Sequence, residues 1–361
     1  MPSSRPRIQF DENGICNSCN YQKKKSQTNW SERLLEFQKI CDLHRSKHGE
    51  YDCIVPWSGG KDSSSIAYKL KYEFGMNPLL TTFSPLIPST IGKINRDLLI
   101  DKGFDNYYFT PDQKISKYLS KRFFIERGNP KVHWDAGINS FPLTVALEKK
   151  IKLIFYAEHG ESEYGGRILN EDSDKMRDAS EVLENQIGDD PSNWEDDTVK
   201  QNDLNMYKYP NISELKNNKI NAYYFSYFFK WDVYENFKYV KDKFNFKQTD
   251  ERISGTFQDY DSMDDHIDPL YYYMQYIKFG FGRCLRDASR LVQNKHLERN
   301  LGINYIKKYD GEFPDKVLDK CLKYLDMNLL EFNEIIDKHR NKEIWELDGN
   351  KYKLKFNIFG D

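Results

Sequence analysis

Tyr51-Asp52-Cys53-Ile54-Val55-Pro56-Trp57-Ser58-Gly59-Gly60-Lys61-Asp62-Ser63 decides how this chain folds. The first half is a short apolar run containing β-branched Ile54 and Val55, which reads as a buried strand. Ser58-Gly59-Gly60 breaks that run, and Asp62 to Phe74 reads as a helix closed by Gly75. Between a strand and a helix, paired glycines let backbone N–H groups converge on an anion, and the helix N-terminus adds its dipole. The hydroxyls of Ser58 and Ser63 can donate to phosphate oxygens, and Lys61 supplies a mobile cation.

Outward from this stretch the pattern repeats. Leu79–Phe83 is a second apolar run, Thr90–Lys102 a helix ending at Gly103, and Tyr107-Tyr108-Phe109 a third run. Lys114–Arg127 reads as a helix ending at Gly128, and Phe141–Lys150 as a helix feeding a strand at Ile151–Tyr156. Strands alternating with helices of this length predict an α/β fold, doubly wound around a mainly parallel sheet. Such sheets bind ligands at the carboxyl ends of their strands.

Upstream, residues 1–27 lack periodicity, whereas Trp30, Leu34, Phe37 and Cys41 recur at helical spacing up to about His48. Downstream, residues 158–220 are polar and acidic, with Asp172, Asp174, Asp189, Asp190, Glu195, Asp196 and Asp197. Trp194, Tyr207 and Tyr209 punctuate the stretch, which reads as an insertion or lid and not as disorder. Tyr223–Trp231 fits a fifth strand or a buried helix equally. From Asp268 onward the chain reads helical, with a two-stranded finish near Trp345–Phe356 turned by Asp348-Gly349. The expected organisation is an N-terminal Cys-x-x-Cys segment and helix (1–48), a nucleotide-binding domain with an acidic insertion (49–232), and a mostly helical C-terminal region (233–361).

Composition narrows the function. Across 361 residues, 54 Lys and Arg stand against 56 Asp and Glu, which excludes the broad basic footprint of a nucleic-acid-coating protein. Mean hydropathy is low at −0.81, but aromatic residues make up 15% of the chain. Disordered chains are poor in them, so a folded protein with a Tyr- and Phe-rich core is expected. No apolar run approaches the roughly 20 residues a bilayer requires. Met1-Pro2-Ser3-Ser4-Arg5-Pro6 has no apolar signal-peptide core, and six cysteines fit a reducing cytoplasm better than a disulfide framework.

Four further features are candidates for chemistry. Glu158-His159-Gly160-Glu161-Ser162-Glu163-Tyr164-Gly165-Gly166 follows the fourth strand at the same sheet edge as the glycine turn. Glu158, Glu161 and Glu163 suit Mg²⁺, which takes one or two carboxylates besides phosphate oxygens, and His159 could act as acid or base. His133-Trp134-Asp135-Ala136-Gly137 precedes a helix, with His133 as readily structural as functional. Cys16 and Cys19 have zinc-knuckle spacing but supply only half of a tetrahedral site. Cys41 and His44 could complete it, though Cys41 sits on the apolar face of its helix and reads better as core, as do Cys53, Cys284 and Cys321. Arg252, Arg283 and Arg286 could bind a sugar carboxylate or phosphate, with structural salt bridges as the default reading.

The string Ser58–Ser63 is not a Walker A loop; it matches Ser-Gly-Gly-x-Asp-Ser, the PP-loop of enzymes that split ATP between its α- and β-phosphates. Further blocks make the resemblance more specific: Phe10-Asp11-Glu12-Asn13-Gly14-Ile15-Cys16, the Glu158–Gly166 block, Phe229-Lys230-Trp231-Asp232, Tyr276-Ile277-Lys278-Phe279-Gly280-Phe281-Gly282-Arg283 and Lys308-Tyr309-Asp310-Gly311-Glu312-Phe313-Pro314. Over nearly its whole length the chain resembles the N-acetyl sugar amidotransferases of bacterial surface-glycan biosynthesis, which serve lipopolysaccharide O-antigen and pseudaminic acid pathways.

The resemblance implies a PP-loop (adenine-nucleotide α-hydrolase-like) fold with ATP held by Ser58, Gly59, Gly60, Lys61, Asp62, Ser63, Phe83, Gly137, Glu158 and Glu161. It implies Mg²⁺ as cofactor, and catalytic roles for Lys61, Asp62 and His159, with Asp62 orienting the loop or metal and His159 shuttling a proton. The carbonyl oxygen of an acetamido sugar would attack the α-phosphate, and ammonia would then displace AMP to give an acetamidino group. No glutaminase signature surrounds any cysteine, so ammonia is expected from a separate glutaminase and synthase-like partner. Relatives carry an earlier Cys-x-x-Cys before a Met-Pro like Met1-Pro2; here Cys16 and Cys19 form half of that family's zinc site. Two other readings compete. A tRNA-thiolation enzyme would use the same loop and explain Cys16, Cys19 and Lys23-Lys24-Lys25, against the near-neutral charge. A non-catalytic ATP-binding assembly subunit would retain the loop without turnover.

Overall fold

The computed structural model describes residues 1–167, 174–349 and 351–356. Five strands form one parallel sheet: β1 (Cys53–Pro56), β2 (Pro78–Phe83), β3 (Asp105–Phe109), β4 (Leu153–Tyr156) and β5 (Asn221–Tyr224). Their order is β3-β2-β1-β4-β5, so the chain steps outward on one side of β1, then crosses to the other. That reversal lies between β1 and β4, where the connections splay apart and leave a crevice.

Alternation along the strands explains why the sheet is buried on both faces. Cys53 and Val55 of β1, Leu80 of β2, and Leu153 and Phe155 of β4 enter one core. Ile54, Leu79, Phe83 and Ile154, at the intervening positions, enter the other. The first core is covered by α2 (Trp30–His44), α3 (Lys61–Tyr72) and α11 (Val233–Phe244), the second by α5 (Gln113–Arg127) and α6 (Val132–Lys149). Helix α4 (Thr90–Ile100) links β2 to β3 and adds Leu99 to the first core, and the short helices α7 (Gly160–Tyr164), α8 (Ala179–Val182) and α9 (Ile212–Asn217) lie between β4 and β5 in the chain. A third core joins α5 to the C-terminal helices α12 (Asp268–Phe279), α15 (Asp315–Leu325) and α16 (Leu329–His339). A fourth forms between α13 (Arg283–Gln293) and α14 (Arg299–Tyr309). The chain's two-stranded finish is present as the antiparallel pair β6 (Trp345–Asp348) and β7 (Lys351–Leu354), with Gly349 at φ +61° in the turn.

Several elements differ from the expectations above. The N-terminal segment is not irregular, because Asn17–Gln27 forms helix α1. Its polar residues are held by long-range contacts, with Ser18 Oγ donating to the Glu163 carbonyl at 2.8 Å. Helix α6 starts at Val132 instead of Phe141, so His133–Gly137 lies inside the helix and not before it. Gly137 and Pro142 weaken helix propensity locally, but tertiary packing overrides them along a mostly buried stretch. The Tyr223–Trp231 stretch is both alternatives in turn: the end of β5, then the short helix α10 (Phe225–Phe228).

The described part of the acidic insertion is packed. Val182, Trp194, Val199, Leu204 and Tyr207 are buried against α5 and α6. Its acids serve that packing: Asp189 pairs with Arg127, and Asp196 with Arg122 and Tyr118. Asp172 lies outside the described residues. Cys41, Cys53, Cys284 and Cys321 are all buried, as their contexts predict.

Candidate functional site

The turn after β1 is fixed from both sides. Trp57 donates its backbone N–H to the Thr81 carbonyl at 2.8 Å and its indole N–H to Ser64 Oγ at 2.8 Å. Thr82 Oγ1 donates to the Trp57 carbonyl at 2.6 Å. Gly59 sits at φ +96°, and a Cβ there would lie 2.5 Å from Cγ of Arg96, so both conformation and space require glycine. No side chain caps the N-terminus of α3. The first-turn N–H groups of Lys61, Asp62 and Ser63 are therefore left for an outside acceptor, which is the arrangement that binds anions.

Lys61 lies at the centre of this turn and is 2% exposed. Its Nζ is 2.8 Å from Asp62 Oδ2 and 2.7 Å from Asp261 Oδ1. Burial alone would pull the Lys61 pKa down, but the two carboxylates outweigh it and hold it above its ordinary value. Burial would likewise raise Asp261, yet Lys61, Arg286 and Arg283 hold it well below the usual carboxylate range. Asn236 of α11 donates to Asp62 Oδ1 at 2.9 Å, so the loop's charges are fixed from three elements.

Two cavities meet at this loop and share Ser58, Ser63, Trp134 and Ala157 in their walls. The first, of 380 Å³, is mainly apolar and aromatic, with Trp57, Phe83, Ile138, Phe141 and Tyr156. Arg177 also lines it, its guanidinium carbon 3.8 Å from the Tyr156 ring centre. Nη2 of Arg177 donates to Gln186 at 2.8 Å and to Asn139. Burial lowers its pKa, and the hydroxyls of Tyr156, Tyr224 and Tyr209 more than restore it, without a carboxylate among those neighbours. A buried cation without an acid partner is costly unless a ligand supplies the countercharge.

The second cavity, of 370 Å³, is charged; Lys61, Lys131, Asp135, Asp261, Asp264 and Asp268 line it. Lys131 pairs with Asp268, which together with Asp265 and Asp135 raises its pKa against the effect of burial. Burial pushes the Asp135 carboxyl up to about 7. Burial, then Asp268 and Asp265, push Asp264 up to about 7 as well. Acids that titrate near neutrality in a cleft can exchange protons with a substrate. Asp261, Asp264 and Asp268 escaped the reading of the sequence, although the acid-rich run Asp259–Asp268 just before a helix was a usable signal.

The remaining residues singled out from the sequence separate into those at the cleft and those elsewhere. Ser58, Gly60, Lys61, Asp62 and Ser63 line one or both cavities, as do Phe83 and Glu158. Gly137 is not in the walls; its missing side chain makes room for the Phe83 ring, whose Cζ would be 2.4 Å from a Cβ. Glu158, Glu161 and Glu163 are not gathered into a metal site. Glu158 bonds Tyr164 and Arg290, Glu161 bonds Arg7, and both oxygens of Glu163 accept from buried Lys25 at 2.9 Å. Among the described residues no group of three or more His, Cys, Asp or Glu side chains could hold a metal ion.

His159 is buried outside both cavity walls. Nδ1 lies 2.6 Å from Ser162 Oγ and 3.4 Å from Asp174, while Nε2 faces Glu181. Burial would lower its pKa, but hydrogen bonds to Asp174 and Glu181 raise it to about 9, which makes it a structural imidazolium at neutral pH. His133 is fully buried beside Ser116, and burial pushes it down to about 3, so it is a neutral core histidine. Cys16 is buried and Cys19 exposed; a hydrogen bond from Cys19 draws the Cys16 thiol down to about 5. Arg252 is bidentate to Glu312, and Arg283 and Arg286 are held by Asp261 and Asp287, which favours the salt-bridge reading for all three.

Fold and site together define a parallel α/β protein whose central glycine turn opens an uncapped helix N-terminus between an apolar and a charged cavity. Residues 223–357 match the family model of the WbpG-like C-terminal domain of LPS biosynthesis proteins. In this part the chain is similar to a lipopolysaccharide-biosynthesis family, and this part brings Asp261, Asp264 and Asp268 to the cleft. No match is found among curated proteins. No helix among the described residues is long and apolar enough to cross a membrane.

Proposed function

We propose that the protein is an ATP-dependent amidotransferase that converts an acetamido group of a surface-glycan sugar into an acetamidino group. The observation that carries this reading is the Ser58–Ser63 turn, uncapped and lysine-bearing, at the junction of an apolar and a charged cavity. In a PP-loop reading, the apolar cavity takes adenosine against Phe83 and Ile138, and the loop N–H groups with Lys61 take the phosphates. Arg177 supplies a countercharge from the opposite wall.

An amide is a poor electrophile, and activation of its oxygen removes that obstacle. The acetamido carbonyl oxygen attacks the α-phosphate and pyrophosphate leaves. Lys61 stabilises the charge that develops on the phosphoryl oxygens. Ammonia adds to the imidate carbon, AMP leaves with the former acetamido oxygen, and the amidine remains. Asp135 and Asp264, which titrate near neutrality, are suited to take the proton released by the incoming nitrogen. Asp62 and Glu158 are the carboxylates at the cleft that fit a magnesium ion carried by ATP, which would supply further charge neutralisation. Ammonia comes from a partner protein in this reading, and the reaction runs in the cytoplasm.

Incubation with ATP, Mg²⁺, ammonium and acetamido sugars should release AMP and pyrophosphate, with a product lighter by the exchange of O for NH. Label in the acetamido oxygen should appear in AMP. Formation of ADP, or label remaining in the sugar, would exclude this chemistry.

A further inference from the structure

A third cavity, of 240 Å³, adjoins the charged one, with Tyr271 lining both. Its walls include Arg5, Arg7 and Lys278 and no Asp or Glu. Arg5 donates Nε to the Gly165 carbonyl at 2.8 Å and makes no carboxylate hydrogen bond among the described residues; its guanidinium lies 5.9 Å from the Phe281 ring centre. Burial, and then the like charges of Arg7 and Arg286, lower its pKa despite Glu161. Among the described residues Lys278 donates to the Arg127 carbonyl alone, at 2.9 Å, and burial lowers its pKa too. Arg7 is bound by Glu161 at 3.0 and 2.7 Å, which holds it in place beside the other two. The acid beside these cations, Glu161, is already taken by Arg7, so Arg5 and Lys278 keep charge that an entering anion can meet.

We infer that Arg5, Arg7 and Lys278 form an anion subsite for the far end of the acceptor, holding its phosphate or carboxylate while its acetamido group reaches Lys61. The inference rests on the amidotransferase reading of the adjoining cleft and deepens it. Charge complementarity sets the direction. The middle cavity sets five aspartates against Lys61 and Lys131, whereas the pocket beyond Tyr271 is lined by cations, so the anionic end of the acceptor is better accommodated there. Guanidinium forks suit both phosphate and carboxylate oxygens, and Phe279 and Phe281 offer an apolar wall beside them. Arg252, Arg283 and Arg286 are occupied by internal acids, as Arg7 is by Glu161, so Arg5 and Lys278, which donate to backbone carbonyls, carry most of the subsite's free charge.

Calorimetric titration of the full chain with UDP-N-acetylglucosamine, N-acetylneuraminate and neutral N-acetylglucosamine tests the subsite. A charged probe should bind about tenfold or more tighter than the neutral one, the scale of one charge-assisted hydrogen bond. Arg5→Gln and Lys278→Gln should each remove most of that preference and its salt dependence, leaving neutral-sugar affinity and ATP affinity unchanged. Arg5→Lys should retain part of it. Preference for the first probe assigns a diphosphate ligand, and for the second a carboxylate. Equal binding of all probes, binding of none, or a preference that survives both variants overturns the subsite. Failure of the wild-type chain to bind ATP overturns the amidotransferase reading instead, whatever the sugars do.

Discussion

Replacing Lys61 with glutamine separates two roles that the structure superimposes on one side chain. Lys61 neutralises Asp62 and Asp261, and in the proposed mechanism it also meets the phosphates of ATP. Removing one member of a buried ion pair costs about 3–5 kcal/mol. Here the carboxylates keep 22% and 16% of their side-chain exposure, and Arg286 still faces Asp261. A cost at or just below the lower end of that range, about 2–3 kcal/mol, is therefore expected for Lys61→Gln. Loss of a charge-assisted bond to phosphate is worth about 1.5–3 kcal/mol, roughly 10- to 150-fold in ATP dissociation constant. The double variant Lys61→Gln/Asp261→Asn removes the stranded charge as well. It should recover stability to within about 1 kcal/mol of wild type, while ATP affinity stays low. Urea unfolding with an unchanged slope measures the first quantity, and ATP titration the second. Recovery of ATP affinity in the double variant would refute the reasoning, because Lys61 would then serve only to neutralise Asp261.

Three other perturbations test separate parts of the argument. Arg177→Met removes a buried cation that has no acid partner among the described residues; folding stability should change by no more than about 1 kcal/mol, while the thermal shift produced by ATP shrinks. An ATP-induced shift equal to that of wild type would remove Arg177 from the nucleotide site. His159 has its pKa raised from 6.5 to about 9, so its contribution to stability is complete below the unfolded value and is lost as pH rises through 9. Melting temperature should therefore fall from pH 7 to 9.5 in wild type and lose that slope in His159→Gln, and an identical slope in both would contradict the assignment. Gly137→Ala gains helix propensity of about 1 kcal/mol but drives a methyl into the Phe83 ring, and overpacking of this kind costs about 1–3 kcal/mol. A net loss of stability with weaker ATP binding is expected, since Phe83 also walls the apolar cavity; unchanged ATP affinity would uncouple the two.

The sheet was legible because its information is local. Cys53-Ile54-Val55, Leu79–Phe83 and Leu153-Ile154-Phe155 are apolar at consecutive positions, which only a strand buried on both faces can use, and Gly75, Gly103 and Gly128 mark the ends of helices. Helix α1 was not legible, because Asn-Ser-Cys-Asn-Tyr-Gln-Lys-Lys-Lys-Ser-Gln has no apolar stripe. It is held by polar contacts that sequence does not announce, chiefly Lys25 with Glu163 and with the Trp231 carbonyl. The same distinction divides the site. Anion binding by Ser58–Ser63 depends on backbone geometry encoded within a few residues, whereas the charged cavity joins positions near 62, 131 and 264. Sequence proximity is a poor guide for Glu158, Glu161 and Glu163: Glu158 precedes the short helix Gly160–Tyr164, and Glu161 and Glu163, two residues apart on it, diverge by about 200°. Each of the three found a different basic partner.

If ATP binds as proposed, the aspartates of the charged cavity make its affinity depend on pH, with a definite sign. The cavity walls carry Asp62, Asp135, Asp261, Asp264 and Asp268 against Lys61 and Lys131, with Arg286 and Arg283 behind Asp261, and the acids still outnumber the bases if every group is ionised. Asp261 is held ionised by Lys61, Arg286 and Arg283. Asp135 and Asp264 instead keep their protons up to about pH 7. Below that pH the excess is largely cancelled; above it two more negative charges appear beside the loop. ATP affinity should therefore fall between pH 6 and 8.5, by an amount that shrinks as salt screens the added charges. Asp264→Asn should flatten the profile on its upper side without loss of affinity at pH 6. A flat wild-type profile, or one left unaltered by Asp264→Asn, would mean that the phosphates of ATP do not share this cavity. The charged side would then belong to the acceptor alone, with ATP confined to the apolar side and the backbone of the glycine turn.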